Sequence, residues 1–335
     1  MLTKSTISRR TFLELSATSA VTALALGMPG SALSAPRKVN IFMGTTPDYA
    51  NVWVGLKKGY FEKENIDASI RLFPSGSAAS DAFRTGEAEF LCCGDIPGVR
   101  LWKTMGTRYI APISRDFYSP VMVVKKEISS PAEIKGKTIA TQTGSAFMMM
   151  VGLINTKYGL SEGDYKLTNM EPTDMVISLE RGAIDGFIWA SPFEERAKQV
   201  SGDKVHVLIR GEDVGFPNAV GLNTRSDLIE SDRDMVQAFV RALAAASDWC
   251  MKNKDGTSEV IADALKLEPK IAAVTQKMDF TTNLDQGLYK YFYHLGKYLE
   301  QKGLIDAPMD WSKYFDTSFL KNVDPARVEK MAATY

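Results

Sequence analysis

The chain has 335 residues in which 40 Lys and Arg balance 40 Asp and Glu. That length exceeds one comfortable core and implies two domains, while the absence of a basic excess argues against a nucleic-acid partner. Three cysteines and two histidines, His206 and His294, in no metal-ligand or catalytic spacing, provide no disulfide framework, no metal site and no Ser-His-Asp site, and no cofactor is expected.

In chain order, Ser8-Arg-Arg-Thr-Phe-Leu-Glu14 is followed by an uncharged run over 15–28 and by small residues through Ala35. A paired arginine, a short apolar core and small residues make a twin-arginine export signal over 1–35, cleaved after Ala32, Ser34 or Ala35. The apolar core is too short to span a membrane, which takes about 20 residues. Without it the remainder carries a slight acidic excess. Residues 39–44 then predict a first strand, 45–48 a loop, and 49–58 a helix with Val52, Trp53 and Leu56 on one face and Gly59 as its stop. A charged turn leads to a second strand over 68–73.

Residues 77–97 form a unit that occurs twice. Ala79, Ala82 and Phe83 mark a helix face, Gly86 caps it, 87–93 read as an acid-then-apolar strand, and Gly94-Asp-Ile-Pro97 as the loop after it. In the second half Met175, Val176 and Leu179 mark the helix, Gly182 caps it, 185–189 form the strand, and Trp189-Ala-Ser-Pro192 stands at the strand's far end. Open α/β sheets bind ligands at the carboxyl ends of their strands. One unit per half therefore suggests two α/β lobes facing a shared cleft.

A second lobe is expected from the apolar run 121–124, through a strand at 137–140, a loop at 142–145 and a helix over 146–158, to 205–209. Two extended segments bordered by proline, 119–124 outward and 216–222 returning, would form a double hinge. The expected division is 36–118 with 219–335 as the first lobe and 119–218 as the second. From Ser231 helical patterning takes over: a capping box at 231–234, then Met235, Phe239 and Leu243 on a long helix to Lys252, and further helices over 258–265, 270–277 and 286–301. The aromatic cluster Tyr289, Tyr291, Phe292, Tyr293 and Tyr298 is read as helix packing, and the tail after Trp311 is expected over the first lobe.

The stretch 49–67, beginning Tyr49-Ala-Asn-Val-Trp and closing Gly59-Tyr-Phe-Glu-Lys-Glu-Asn, resembles the substrate-binding proteins of ABC importers of the nitrate, sulfonate and taurine type. Thr85-Gly-Glu-Ala-Glu-Phe90, Ile134-Lys-Gly-Lys-Thr-Ile-Ala140, Glu180-Arg-Gly-Ala-Ile-Asp185 and 220–228 carry the same resemblance, which runs from about 39 to 253. It implies an α/β, two-lobed periplasmic binding protein of type II with two hinge crossings and C-terminal helices, sharing the fold of the thiamine-pyrimidine synthases. It also implies a monomer that catalyses no reaction and delivers a small-molecule ligand from the periplasm to an ABC permease in the inner membrane.

Carried over by position, the candidate contacts are Thr46 and Tyr49 after the first strand, Ser75 and Ser77 after the second, and Gly94 and Asp95 after the third. Arg115, Asp116 and Tyr118 stand at the outward crossing. Thr143, Gly144 and Ser145 precede a helix whose N–H groups would hold an anionic head group, and Trp189 would cover a flat or apolar part. Arg115 beside Asp116 suits a sulfonate or a zwitterion such as taurine. The aromatic residues leave an aromatic acid or a pyrimidine-like heterocycle as the alternative. Two further readings stay open: an enzyme like the pyrimidine synthases, using Cys92 and Cys93 near Asp95, and a sensor that passes its closed form to a receptor kinase.

Overall fold

A computed structural model describes residues 35–305 and 307–332; the export signal expected at 1–35 falls, but for Ala35, outside the described residues. Among the described residues ten strands form two five-stranded sheets. The first sheet takes β1 (Arg37–Gly44), β2 (Ile66–Phe73), β3 (Phe90–Gly94) and β4 (Arg108–Asp116). The second takes β5 (Val121–Lys125), β6 (Thr138–Thr141), β7 (Lys166–Asn169), β8 (Gly186–Trp189) and β9 (Val205–Arg210), after which β10 (Asn218–Thr224) returns to the first.

The two sheets share one plan. Their orders are β2-β1-β3-β10-β4 and β7-β6-β8-β5-β9, and in each the fourth strand runs antiparallel to both neighbours. The strands of the duplicated unit, β3 and β8, hold the same third position. The architecture is therefore two-lobed α/β, as expected. Each reversed strand is the one the chain lays down on arriving from the other sheet.

The passages between sheets lie at 117–120 and 211–217, and they bind one another. Gly211 N–H donates to Pro120 O and Glu212 N–H to Phe117 O, both at 2.8 Å. A Cβ at Gly211 would stand 2.6 Å from Phe216 O and 2.9 Å from Phe117 O, so only glycine lets the two backbones approach this closely.

Helical patterning after Ser231 produces the helix Arg233–Lys252, but its cap is Asp232, whose carboxylate accepts from Met235 N–H, and not Ser231. Ser231 instead ends the preceding short helix. Phe239 of the long helix stacks on Phe90 and Phe61 with ring centroids 3.9 and 4.7 Å away, tying helix to sheet. The helix Gln286–Gln301 buries Tyr289, Tyr291 and Phe292, and Phe292 joins Tyr109, Tyr314 and Phe315 in an aromatic cluster. The tail thus packs on β4, with Asp316 N–H donating to Tyr109 O. Two local expectations are corrected. Asp95–Met105 is a helix rather than a loop, with Asp95 in its first turn, and β7 was not foreseen because Lys166–Asn169 is half exposed and lacks an apolar run. Among the described residues no helix is long and apolar enough to cross a membrane.

Candidate functional site

The carboxyl ends of β1, β2, β3 and β8 and the loop after β6 converge on one cleft. Thr46, Asp48 and Tyr49 reach it from the turn after β1, Ser75, Gly76 and Ser77 from the turn after β2, and Gly94 from the end of β3. The second lobe contributes Ser145, Ala146, Phe147, Trp189 and Ala190, and the returning strand β10 contributes Asn218 and Val220.

Three helices begin at this cleft: Gly76–Phe83, Asp95–Met105 and Phe147–Tyr158. Each presents the positive end of its dipole, an arrangement suited to a negative or acceptor group, although at the second Asp95 accepts from Ile96 N–H with its own carboxylate. Ser75 caps the first, its Oγ accepting from Ala78 N–H at 3.1 Å. The same Oγ accepts from Gln142 Nε2 of the second lobe at 2.9 Å, and Gln142 Nε2 also donates to Glu171 Oε1 at 2.6 Å. One hydroxyl therefore joins helix start and lobe contact. Ser145 precedes the third helix, and its hydroxyl donates to Gln142 O at 2.7 Å and shapes the loop.

The aromatic wall is Trp189 packed against Phe147, ring centroids 4.5 Å apart and planes tilted by 34°, with Phe216 next to Phe147. Trp189 Nε1 is buried and finds no hydrogen-bond partner. Opposite in chemistry stands Asp48, 1% exposed, whose Oδ1 accepts from Asn218 Nδ2 at 2.7 Å. Burial pushes the Asp48 carboxyl up to about 7 and the like charge of Asp116 adds to this, against hydrogen bonds from Thr46, its own backbone N–H and Asn218. None of the residues lining the cleft is Lys or Arg.

Of the positions singled out from sequence, Thr46, Tyr49, Ser75, Ser77, Gly94, Ser145 and Trp189 line the cleft, and the others stand apart. Thr143 and Gly144 line an adjoining outer cavity, together with Arg84, Arg100 and Gln142. Asp95 lies beneath the cleft, hydrogen-bonded to Tyr291 OH and to Ile96 N–H, because its helix turns the side chain toward the core. Arg115 is held bidentately by Asp285, at 2.9 Å on each nitrogen, and by Asp279 at 3.2 Å, which withdraws the one cation expected to bind the ligand. Asp116 accepts from Tyr118 N–H and Ser119 N–H at 2.8 and 2.9 Å and so braces the outward crossing. The Tyr118 ring is sandwiched between Lys277 at 3.6 Å and Arg210 at 4.2 Å. Asp48, Phe147 and Asn218 were missed. Asp48 stands four residues after β1, in the loop Thr45-Thr-Pro-Asp48, and that placement was the available signal.

Cys92 and Cys93 are fully buried, and burial raises both thiols above the ordinary cysteine range. The thiolate a nucleophile requires is therefore disfavoured. Native protein treated with an aromatic disulfide reagent at pH 8 is expected to release no thiol signal, and denatured protein three equivalents, since Cys250 is buried as well; rapid labelling of Cys92 or Cys93 in the native state would restore them as reactive groups.

Compared with known proteins, residues 46–257 match the profile of the family described as NMT1/THI5 like. The taurine-binding periplasmic protein of Escherichia coli (strain K12) is 27% identical over 281 residues, spanning 78% of this chain and 86% of that one. The crystal structure of the periplasmic aliphatic sulphonate binding protein SsuA from Escherichia coli superposes with a TM-score of 0.70 at 17% identity, covering 84% of this chain and 97% of the other. The desulfurization enzyme DSZB has the same fold, with a TM-score of 0.66 at 15% identity over 86% and 98% of the two chains.

Proposed function

The chain belongs to the NMT1/THI5 like family, and from that premise we propose that it is the solute-binding protein of an ABC importer, capturing a small organic anion or zwitterion of the sulfonate, taurine or nitrate type between its lobes. The observation that carries this reading is the cleft itself. Strand ends from both sheets, three helix N-termini and an aromatic wall meet there, and the chemistry they offer is binding. Two of the cleft's hydroxyls, Ser75 and Ser145, are engaged in lobe and loop contacts, and the neighbouring thiols of Cys92 and Cys93 are held protonated by burial. The protein on this reading turns over no substrate, in contrast to the enzyme that shares its fold.

Residues 36–118 with 219–335 form one lobe and 119–218 the other, and the paired crossings serve as hinge. Thr46, Tyr49, Ser75, Ser77, Gly94, Ser145 and Trp189 contact the ligand, joined by Asp48, Phe147 and Asn218. The Arg9-Arg10 signal supports export to the periplasm by the twin-arginine route, where a monomer would deliver its solute to an inner-membrane permease.

A thermal-shift screen of the purified protein against taurine, alkanesulfonates, nitrate, aromatic carboxylates and pyrimidines tests this. A ligand at 100 times its dissociation constant adds about 2.7 kcal/mol of stability, several degrees in Tm. One solute class is expected to produce that shift with one-to-one stoichiometry and no chemical conversion. Turnover of the bound solute would replace the receptor reading with an enzymatic one.

A further inference from the structure

The cleft is lined by a buried carboxyl and by no Lys, Arg or His. Asp48 lines it, held by Asn218 at 2.7 Å, while Arg115 is committed to Asp279 and Asp285 and Arg84 and Arg100 lie in the outer cavity. Asn218, Thr46 and its own backbone N–H donate to Asp48 without offsetting its burial, so the enclosed carboxylate is unfavourable unless something supplies further donors or positive charge. A simple anion would place a second negative charge in the same enclosure. Trp189 Nε1, buried and without a partner, adds the converse requirement of an acceptor on the ligand.

We propose that Asp48 selects the solute by accepting N–H hydrogens from an ammonium or amino-heterocycle nitrogen, so that the protein takes nitrogen-bearing solutes with a separate acceptor end and discriminates against nitrate and simple alkanesulfonates. This rests on the solute-binding reading and narrows its ligand class. The acceptor or anionic end faces the helix N-termini at Gly76 and Phe147, and the N–H end faces Asp48. Hydrogen bonds to a charged group are worth enough to separate matched ligands by about ten- to a hundredfold in affinity.

The experiment is calorimetric titration of the full purified chain with two matched pairs, taurine against ethanesulfonate and 4-aminopyrimidine against pyrimidine, with nitrate as a further arm. In at least one pair the amino member is expected to bind ten- to a hundredfold more tightly, and Asp48→Asn is expected to erase that preference. Equal affinity within every pair that binds, or tight binding of nitrate, overturns the inference and leaves the receptor reading standing. An amino preference that survives in Asp48→Asn overturns the assignment to Asp48. No binding in any arm by folded protein overturns the inference, and the thermal-shift screen decides the receptor reading separately. The comparison on the unaltered chain is decisive even if the variant folds poorly.

Discussion

At pH 8 and without ligand, the Asp48→Asn protein is expected to be more stable than the unaltered chain, by up to about 4 kcal/mol, and at pH 4 the two are expected to be nearly equal. The carboxyl ionises near 3.8 when unperturbed and at about 7 in the fold. Below 3.8 the acid is neutral in both states and costs nothing. Between 3.8 and 7 the unfolded chain releases its proton first, so stability falls as pH rises, and above 7 the full penalty is present. Asparagine keeps an oxygen for Asn218 Nδ2 and removes the charge that burial and Asp116 oppose. Asp95, also raised to about 7 by burial, contributes a parallel penalty that the variant leaves untouched, so the difference between the proteins isolates Asp48.

Urea denaturation at the two pH values measures this difference, and identical midpoints at pH 8 would show that the carboxyl is not strained by its surroundings. A stabilised variant with weakened ligand binding is the pattern of a residue kept for function at a cost to stability. An N–H-bearing solute would offset the penalty, so its affinity should rise with pH up to about 7 and then level.

Gly221→Ala is expected to destabilise the fold by about 3 kcal/mol or more, at the upper end for overpacking. The glycine sits in β10 between β3 and β4. A Cβ there would stand 1.9 Å from Tyr109 Cε2. The Tyr109 ring cannot yield, since it is 1% exposed and packed by Phe292, Tyr314 and Phe315 at centroid distances of 5.4, 5.7 and 5.2 Å. Displacing β10 is no easier, because the same strand carries Asn218 to Asp48 and Val220 to the cleft wall. The variant should therefore lose solute binding along with stability. Gly163→Ala, with open space around its added carbon, serves as control and should change stability by no more than about 0.5 kcal/mol. Denaturation midpoints for the two variants that coincide would refute the packing argument.

Much of this protein was legible in its sequence because the signals are local. Glycine stops at Gly86, Gly159 and Gly182, apolar periodicities of helix and strand, and the repetition of one unit in each half predict two α/β lobes and the strand ends that meet between them. The cleft-lining positions Thr46, Ser75 and Trp189 follow from the same rule, since residues near a strand's carboxyl end stand close to the crevice. Which charges reach that crevice was settled only in three dimensions. Arg115 finds Asp279 and Asp285 at sequence separations of 164 and 170 residues, and its removal from the cleft cannot be read from Arg115 and Asp116 side by side. Asp95 and Asp48 each follow a strand, yet a helix begins at Asp95 and turns it inward to Tyr291 while a short turn leaves Asp48 on the cleft. Local pattern thus determined where the backbone runs; long-range pairing and the angle of one turn decided which side chains are available to a ligand.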